Sequence, residues 1–421
     1  MREMKDSGIE WIGEIPKEWG IVKFKYLHNG LNTGEAIDKE YWESDAGPNA
    51  FYTAGLTPIR TGYSNFPTWK ETGENDLLLA RNGTPYVYLP VSKAYYTDHI
   101  IRAAMSRQVN RRFIRYCLQQ SIASIVVDSV SIPTWSATLW NNQLLTWPSA
   151  IEQDRIAAFL DAECAEIDAV LEKTRASIEE YKKLKQAVIT QAVTKGIRGD
   201  RPMKDSGIEW IGDIPESWEV SSVRYTGQLQ NGISKGGEFF GKGFPFVSYG
   251  DVYKNYELPY SVSGLIDTTE EERATYSVEY GDIFFTRTSE TIEEVGFSCV
   301  CKRSIPNATF AGFIIRLRPF CADEKILTDY AKYYFRGEHI RAYLVKEMNL
   351  VTRASLGQTL LKGMSVIVPP KSVQKEIAEY LDDKCADIDA LVAKKQQYLA
   401  EIENYKKSLI YEYVTGKKEV I

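Results

Sequence analysis

Two stretches of this chain repeat apolar residues in alternating steps of three and four. From Ile151 to about Thr194, and again from Val373 to Thr415, neither proline nor glycine occurs. Runs of that length without a breaker predict one long helix in each place. In the first, Cys164, Ile167, Leu171, Thr174, Ile178, Tyr181, Lys185, Val188 and Ala192 form a heptad row. In the second, Cys385, Ile388, Val392, Lys395, Leu399, Ile402, Lys406, Leu409 and Tyr413 fall in the same register. Such rows pack helix against helix. Thr174, Lys185, Lys395 and Lys406 interrupt them, so a long homomeric coil is not expected. Two helices of one chain, paired antiparallel and partly covered by other surfaces, fit better. Pro148, and Pro369 with Pro370, precede the helices, while Gly196 and Gly416 follow at the stop position.

The helices belong to a larger repeat. MKDSGIEWIGEIPKEW from Met4 and MKDSGIEWIGDIPESW from Met203 agree at thirteen of sixteen positions, 199 residues apart. DLLLARNG from Asp76 resembles DIFFTRTS from Asp282, and both read as a strand running into a turn. RRFIRYCL from Arg111 resembles TDYAKYYF from Thr328, both reading as amphipathic helices with aromatics. IAAFLDAECAEIDAVL from Ile156 resembles IAEYLDDKCADIDALV from Ile377. The order is the same in both halves. Opening motif and helix are nearly duplicated, while the residues between them diverge. A duplication that keeps its frame and varies its inserts suggests a scaffold that presents two different specificities. The expected fold is therefore mixed α+β domains, internally duplicated with pseudo-twofold symmetry, on two long helices forming an antiparallel coiled coil. The expected segments are 1–150 and 199–370 as variable domains, with 151–198 and 371–421 as their helical spacers.

Composition narrows the function by exclusion. At 421 residues, with 44% hydrophobic and 26% charged, the chain is globular and too long for one core. No apolar run reaches bilayer length, and MREMKDSGIEWIG lacks the apolar region of a signal peptide, so a cytoplasmic protein is expected. Of six cysteines, only Cys299 and Cys301 are close, and neither C-x-x-C nor zinc spacing appears. Reduced, packed thiols are expected. Net charge is −6 and no segment carries a basic excess, so any field attracting nucleic acid must be local or supplied by a partner.

Catalytic signatures are missing. There is no G-x-x-x-x-G-K-[ST] loop, no Asn-Pro-Pro-aromatic run and no G-x-S-x-G elbow. His28, His99 and His339 are isolated, and the abundant Asp/Glu pairs read as solvated helix faces.

The repeated MKDSGIEWIG-(E/D)-IP opening, the Gly281-Asp282-Ile283 strand motif and the IAAFLD/IAEYLD helices together resemble the specificity subunits of type I restriction–modification systems. The resemblance covers essentially the whole chain. It implies a non-catalytic subunit with no cofactor of its own. Two target recognition domains would each read half of a bipartite site in double-stranded DNA. The paired helices would set the gap: about 40 residues at 1.5 Å rise make a rod of about 60 Å, against roughly 34 Å for a turn of B-DNA. The implied partners are two methyltransferase (modification) subunits and restriction/translocase subunits, which would hold S-adenosylmethionine, ATP and magnesium. Because the two domains differ, the expected site is asymmetric.

Candidate DNA contacts come in three groups. Arg107, Arg111 and Arg115 fall at i, i+4 and i+8, one face of a predicted helix, within a basic stretch that also holds Arg102 and Arg112. Lys332 and Arg336 are the weaker counterpart in the second half. Arg81, Asn82 and Thr84, with Arg287, Thr288 and Ser289, follow the two matching strands and combine a cation with small polar groups. Tyr63, Trp69 and Tyr253 read as core or docking surface. Two rivals remain at this point: a coiled-coil scaffold that reads no sequence, and the recognition subunit of a related restriction system.

Overall fold

A computed structural model describes residues 2–42, 47–107, 109–125, 133–289, 294–348 and 354–420. The chain divides into two compact units, Met1–Arg175 with Gln397–Ile421, and Ala176–Gln396. Each unit holds one sheet domain and a portion of both long helices, Ala150–Lys195 and Lys371–Val414.

The first unit centres on a four-stranded sheet in the order His28–Thr33, Ile100–Met105, Asp76–Ala80, Val87–Tyr88, with every neighbouring pair antiparallel. The strand Asp76–Ala80 is buried throughout. That accounts for its unbroken DLLLA run, where a strand with one wet face would alternate. A second sheet joins Ile59–Thr61, Asn49–Tyr52 and Tyr95–Tyr96. The helix Arg111–Ala123 covers the core with Phe113, Ile114, Cys117 and Leu118. The second unit repeats the arrangement. Its central sheet runs Gly227–Asn231, Ile314–Pro319, Ile283–Thr286, Ser298–Val300, and its helix Thr328–Tyr334 takes the place of Arg111–Ala123. Two short helices, Tyr249–Lys254 and Glu270–Thr275, fall within the longer insert of this half.

The repeated opening motif forms a small hairpin, and its sequence shows why. Met4–Asp6 pairs antiparallel with Glu14–Pro16. The turn closes on Asp6, whose carboxylate accepts from the Gly8 N–H, and on Ser7, whose hydroxyl accepts from the Ile9 N–H. Asp205 and Ser206 do the same for Gly207 and Ile208. Ile12, Ile15 and Trp19, like Ile211, Ile214 and Trp218, then turn into the core.

Each hairpin caps a helix end, and the pairing is crossed. The first hairpin meets the end of the second long helix: Tyr411 donates to the Ile12 carbonyl, and a Cβ on Gly416 would lie 2.5 Å from Pro16 Cδ. Leu409, Ile410 and Val414 join Ile12, Ile15 and Trp19 in one core. The second hairpin meets the end of the first long helix, where Lys195 donates to the Ile211 carbonyl and Gly196 abuts the Trp218 ring. Ile189, Ala192 and Val193 share a core with Ile211, Ile214 and Trp218.

Within each unit the two helix portions pack antiparallel. In the first, Phe159 meets Tyr413, Asp168 meets Lys406, and Arg175 meets Glu403. In the second, Lys395 lies over the Tyr181 ring and Lys185 pairs with Asp389. Two of the lysines that interrupt the heptad rows, Lys185 and Lys406, are thus matched to carboxylates on the facing helix, and the third, Lys395, to an aromatic ring. Lys185–Asp389 and Lys406–Asp168 are the same pair in duplicate. All six cysteines are free, and only Cys321 is exposed.

His339 lies fully within the second core, and among the described residues neither ring nitrogen has a hydrogen-bond partner. Burial lowers its pKa from 6.5 to about 3. Between those values the unfolded chain binds a proton that the folded one refuses. Stability is therefore complete above the unfolded pKa and falls as the pH drops toward the folded one, by about 1.4 kcal/mol per pH unit. A His339→Leu variant is expected to lose this share of the acid sensitivity, read as a shallower fall of the denaturation midpoint between pH 6 and pH 4. Equal slopes in the two proteins would contradict it.

Candidate nucleic-acid interface

The matching strands Asp76–Ala80 and Ile283–Thr286, both buried throughout, end in equivalent structural knots. After Asp76–Ala80, the Arg81 N–H donates to the His99 carbonyl and the Arg81 carbonyl accepts from Trp135 N–H, at 2.8 and 2.6 Å. After Ile283–Thr286, the Arg287 N–H donates to the Phe313 carbonyl and its carbonyl accepts from Leu356 N–H, at 2.8 and 2.7 Å. The backbone at both arginines is clamped from two sides, so each guanidinium starts from a defined point at the rim of its sheet. Arg81 is exposed and Arg287 half-buried, and among the described residues neither enters an ion pair. Thr84 is exposed, and Asn82, Thr288 and Ser289 are half-buried beside them.

The rim also carries a constraint that sequence reasoning missed. A Cβ on Gly34 would lie 2.1 Å from the Tyr96 carbonyl oxygen, and one on Gly232 would lie 2.2 Å from that of Ala311. Only glycine lets the first strand of each sheet pass this close to neighbouring backbone. The signal was available as LNTG at Leu31 against LQNG at Leu229.

Most of the other predicted contacts are committed elsewhere. Arg107 does not share a helical face with Arg111 and Arg115. Asn110 caps the helix by accepting from Phe113 N–H, so the helix begins at Arg111 and Arg107 sits in the preceding turn, exposed. Arg111 donates to the Asp76 carbonyl, while Arg112 and Arg115 pair with Asp161 of the first long helix. Arg102 is held by the carbonyls of Trp69 and Glu71. Lys332 is buried between Glu257 and Asp382. Arg336 donates to the carbonyls of Ser298, Val252, Tyr253 and Asn255, at 2.6, 2.9, 3.1 and 2.6 Å. Its guanidinium lies over the Tyr256 ring, and burial lowers its pKa. Trp69, by contrast, stands 65% exposed with Lys70 over its ring.

Two helix carboxylates prove to be anchors where solvated faces were expected. Asp161 accepts from the Tyr116 hydroxyl at 2.7 Å, and Asp382 accepts from that of Tyr333 at 2.7 Å. Burial is the main reason both phenols are raised far above their usual range. Each Asp also takes a cation from the same domain helix, Arg115 or Lys332. The repeated Leu-Asp before Cys164 and Cys385 is the sequence mark of this joint.

The arrangement therefore presents, in each unit, one rim with a clamped arginine and small polar groups, backed by basic residues that bind the domain to its helix. Among the described residues no cluster of His, Cys, Asp and Glu could hold a metal, and no helix is long and apolar enough to cross a membrane. Residues 215–404 match the family model described as type I restriction modification DNA specificity domain.

This segment is similar to a type I restriction modification DNA specificity domain.

The resemblance drawn from the repeated motifs holds. The chain is 23% identical to the type I restriction enzyme MjaVIII specificity subunit of Methanocaldococcus jannaschii, over 96% of this chain and 94% of that one. It is 24% identical to the EcoKI specificity subunit of Escherichia coli K12, over 64% of this chain and 56% of that one. In fold it is similar to a chain solved in work on complex assembly and conformational transition of the type I R-M system. The TM-score is 0.67 at 16% identity, covering 96% of this chain and 99% of that one. The mixed α/β domains and the two long helices packed on each other are features of the fold it shares with that chain.

Proposed function

We propose that the chain is the DNA sequence-recognition subunit of a type I restriction–modification complex. Each unit reads one half of a bipartite site in double-stranded DNA through its sheet rim, with segments 1–150 and 199–370 as the recognition domains. The long helices set the spacing and dock two modification subunits, to which restriction/translocase subunits add. Catalysis belongs to those partners, and the assembly works in the cytoplasm. The observation that carries this reading is the pair of equivalent arginine knots, Arg81 and Arg287, on one duplicated frame whose surrounding surfaces differ. A scaffold that read nothing would have no use for two rims built alike and decorated differently.

Genome-wide methylation in a host carrying this chain with its modification subunit tests the reading. The expected result is one asymmetric motif, two unlike half-sites around unspecified bases. Two identical half-sites, or no motif, would overturn it. With a net charge of −6, the isolated chain is expected to bind DNA weakly, and tight binding needs the modification subunits to close around the duplex. Nanomolar, sequence-specific binding by the chain alone, measured by titration at physiological salt, would refute that part.

A further inference from the structure

The clamped backbone lets the two rims be compared position by position. Asn82 bridges Thr134 just as Thr288 pairs with Ser355. His99 and Phe313 both accept from the knot arginine, so they are equivalent. Thr33 faces Ile101 and Asn231 faces Ile315, the same step of the sheet. Trp135 and Leu356 both donate to the knot arginine, which makes Ala137 the counterpart of Gln358, each opening a short helix two residues later.

At these four positions the units make opposite choices. The first unit places a polar pair at 82 and 99: the Asn82 amide lies 2.6 Å from His99 Nδ1. The second unit has Thr288 and Phe313 there, with Phe313 63% exposed. The second unit instead places its polar pair at 231 and 358, where Gln358 Nε2 donates to Asn231 Oδ1 at 3.0 Å. The first unit has Thr33 and Ala137 there. All four polar side chains are half-buried, so each pair is held yet reachable. Each leaves donors and an acceptor unused by the pair. With its amide donating to His99 Nδ1, Asn82 keeps its Oδ1 and its second N–H, and the imidazole presents Nε2 as a donor. The second pair keeps Gln358 Oε1 and the Asn231 amide. A donor beside an acceptor on a fixed support is what a base edge in the major groove requires, and an exposed aromatic suits the thymine methyl.

We propose that these four positions set the difference in base preference between the two units. Asn82 with His99 reads in the first, and Asn231 with Gln358, flanked by Phe313, reads in the second. The inference rests on the recognition reading above and adds to it the specificity-determining residues.

The test exchanges each pair for the residues its sister unit carries: Asn82→Thr with His99→Phe, and Asn231→Thr with Gln358→Ala. The full chain is expressed with its modification subunits in a methylation-free host, and the methylated motif is read by single-molecule sequencing. Each exchange is expected to lower the preference at one or more bases of one half-site by about tenfold or more. The two exchanges must alter opposite halves, leaving the other half and the gap unchanged. Shape-preserving single changes, Asn82→Asp and Gln358→Glu, should alter the same halves. An unchanged motif overturns the proposal, as does a change in both halves at once. Loss of all methylation also overturns it, because the incoming residues already occupy these positions in the sister frame. If the unaltered chain yields no bipartite motif, it is the recognition reading itself that fails.

Discussion

Removing residues 409–421 is expected to unfold the first unit and spare the second. The deleted segment carries Leu409, Ile410 and Val414, which are buried with Ile12, Ile15 and Trp19. It also carries the Val414 carbonyl, which accepts from the buried Thr146 hydroxyl at 2.5 Å, and Gly416 against the first hairpin. Each lost aliphatic side chain costs about 2 kcal/mol or more, so the total is on the order of 6 kcal/mol. That is comparable with the whole stability of a domain, about 5–15 kcal/mol. Hydrogen exchange resolved by peptide is the measurement. Protection should vanish in residues 76–80 and 113–122 and persist in 283–286 and 314–319. Loss confined to the C-terminal helix would show that the first hairpin does not depend on it.

Arg336→Met is expected to lower stability by about 3–5 kcal/mol and leave DNA recognition by the folded fraction unchanged. The substitution keeps bulk and removes a buried guanidinium that satisfies four carbonyls. Those carbonyls would be left in the core without partners, which costs more than the loss of one ordinary bond. Arg336→Lys should recover little, because a point charge cannot reproduce the planar fork. Denaturant midpoints of the second unit, set beside affinities measured well below the transition, separate the two roles. An unchanged midpoint with weakened binding would return Arg336 to the DNA surface.

These two expectations mark where the sequence was legible. Periodicity without proline or glycine showed both long helices, and the repeat showed that each half holds the same parts in the same order. The run DLLLA was readable as a strand at a turn, and its burial on both faces came from the structure. Which hairpin caps which helix was not readable, because the repeats are near-identical and only long-range packing decides the crossed choice. The basic residues divide on similar grounds. Asn110 could have been read as a helix cap, which would have separated Arg107 from Arg111 in advance. For Arg336, nothing nearby in sequence foretells the carbonyls of Val252, Tyr253, Asn255 and Ser298 that surround it. The interrupting lysines looked like flaws in a heptad row because each partner lies on the other helix, more than 200 residues away.

The crossed capping also reverses the order in which the protein can mature on the ribosome. Domains ordinarily complete themselves from the N-terminus as synthesis proceeds. Here the second unit is contiguous, Ala176–Gln396, and has all its parts once that stretch has emerged. The first unit has its sheet and helix early but lacks Leu409, Ile410 and Val414 until the last turns of the second long helix are made. While the second unit is being made, the first waits with Ile12, Ile15 and Trp19 incompletely covered. The half made first is thus the half finished last, because Leu409, Ile410 and Val414 follow the whole of the second unit in the chain.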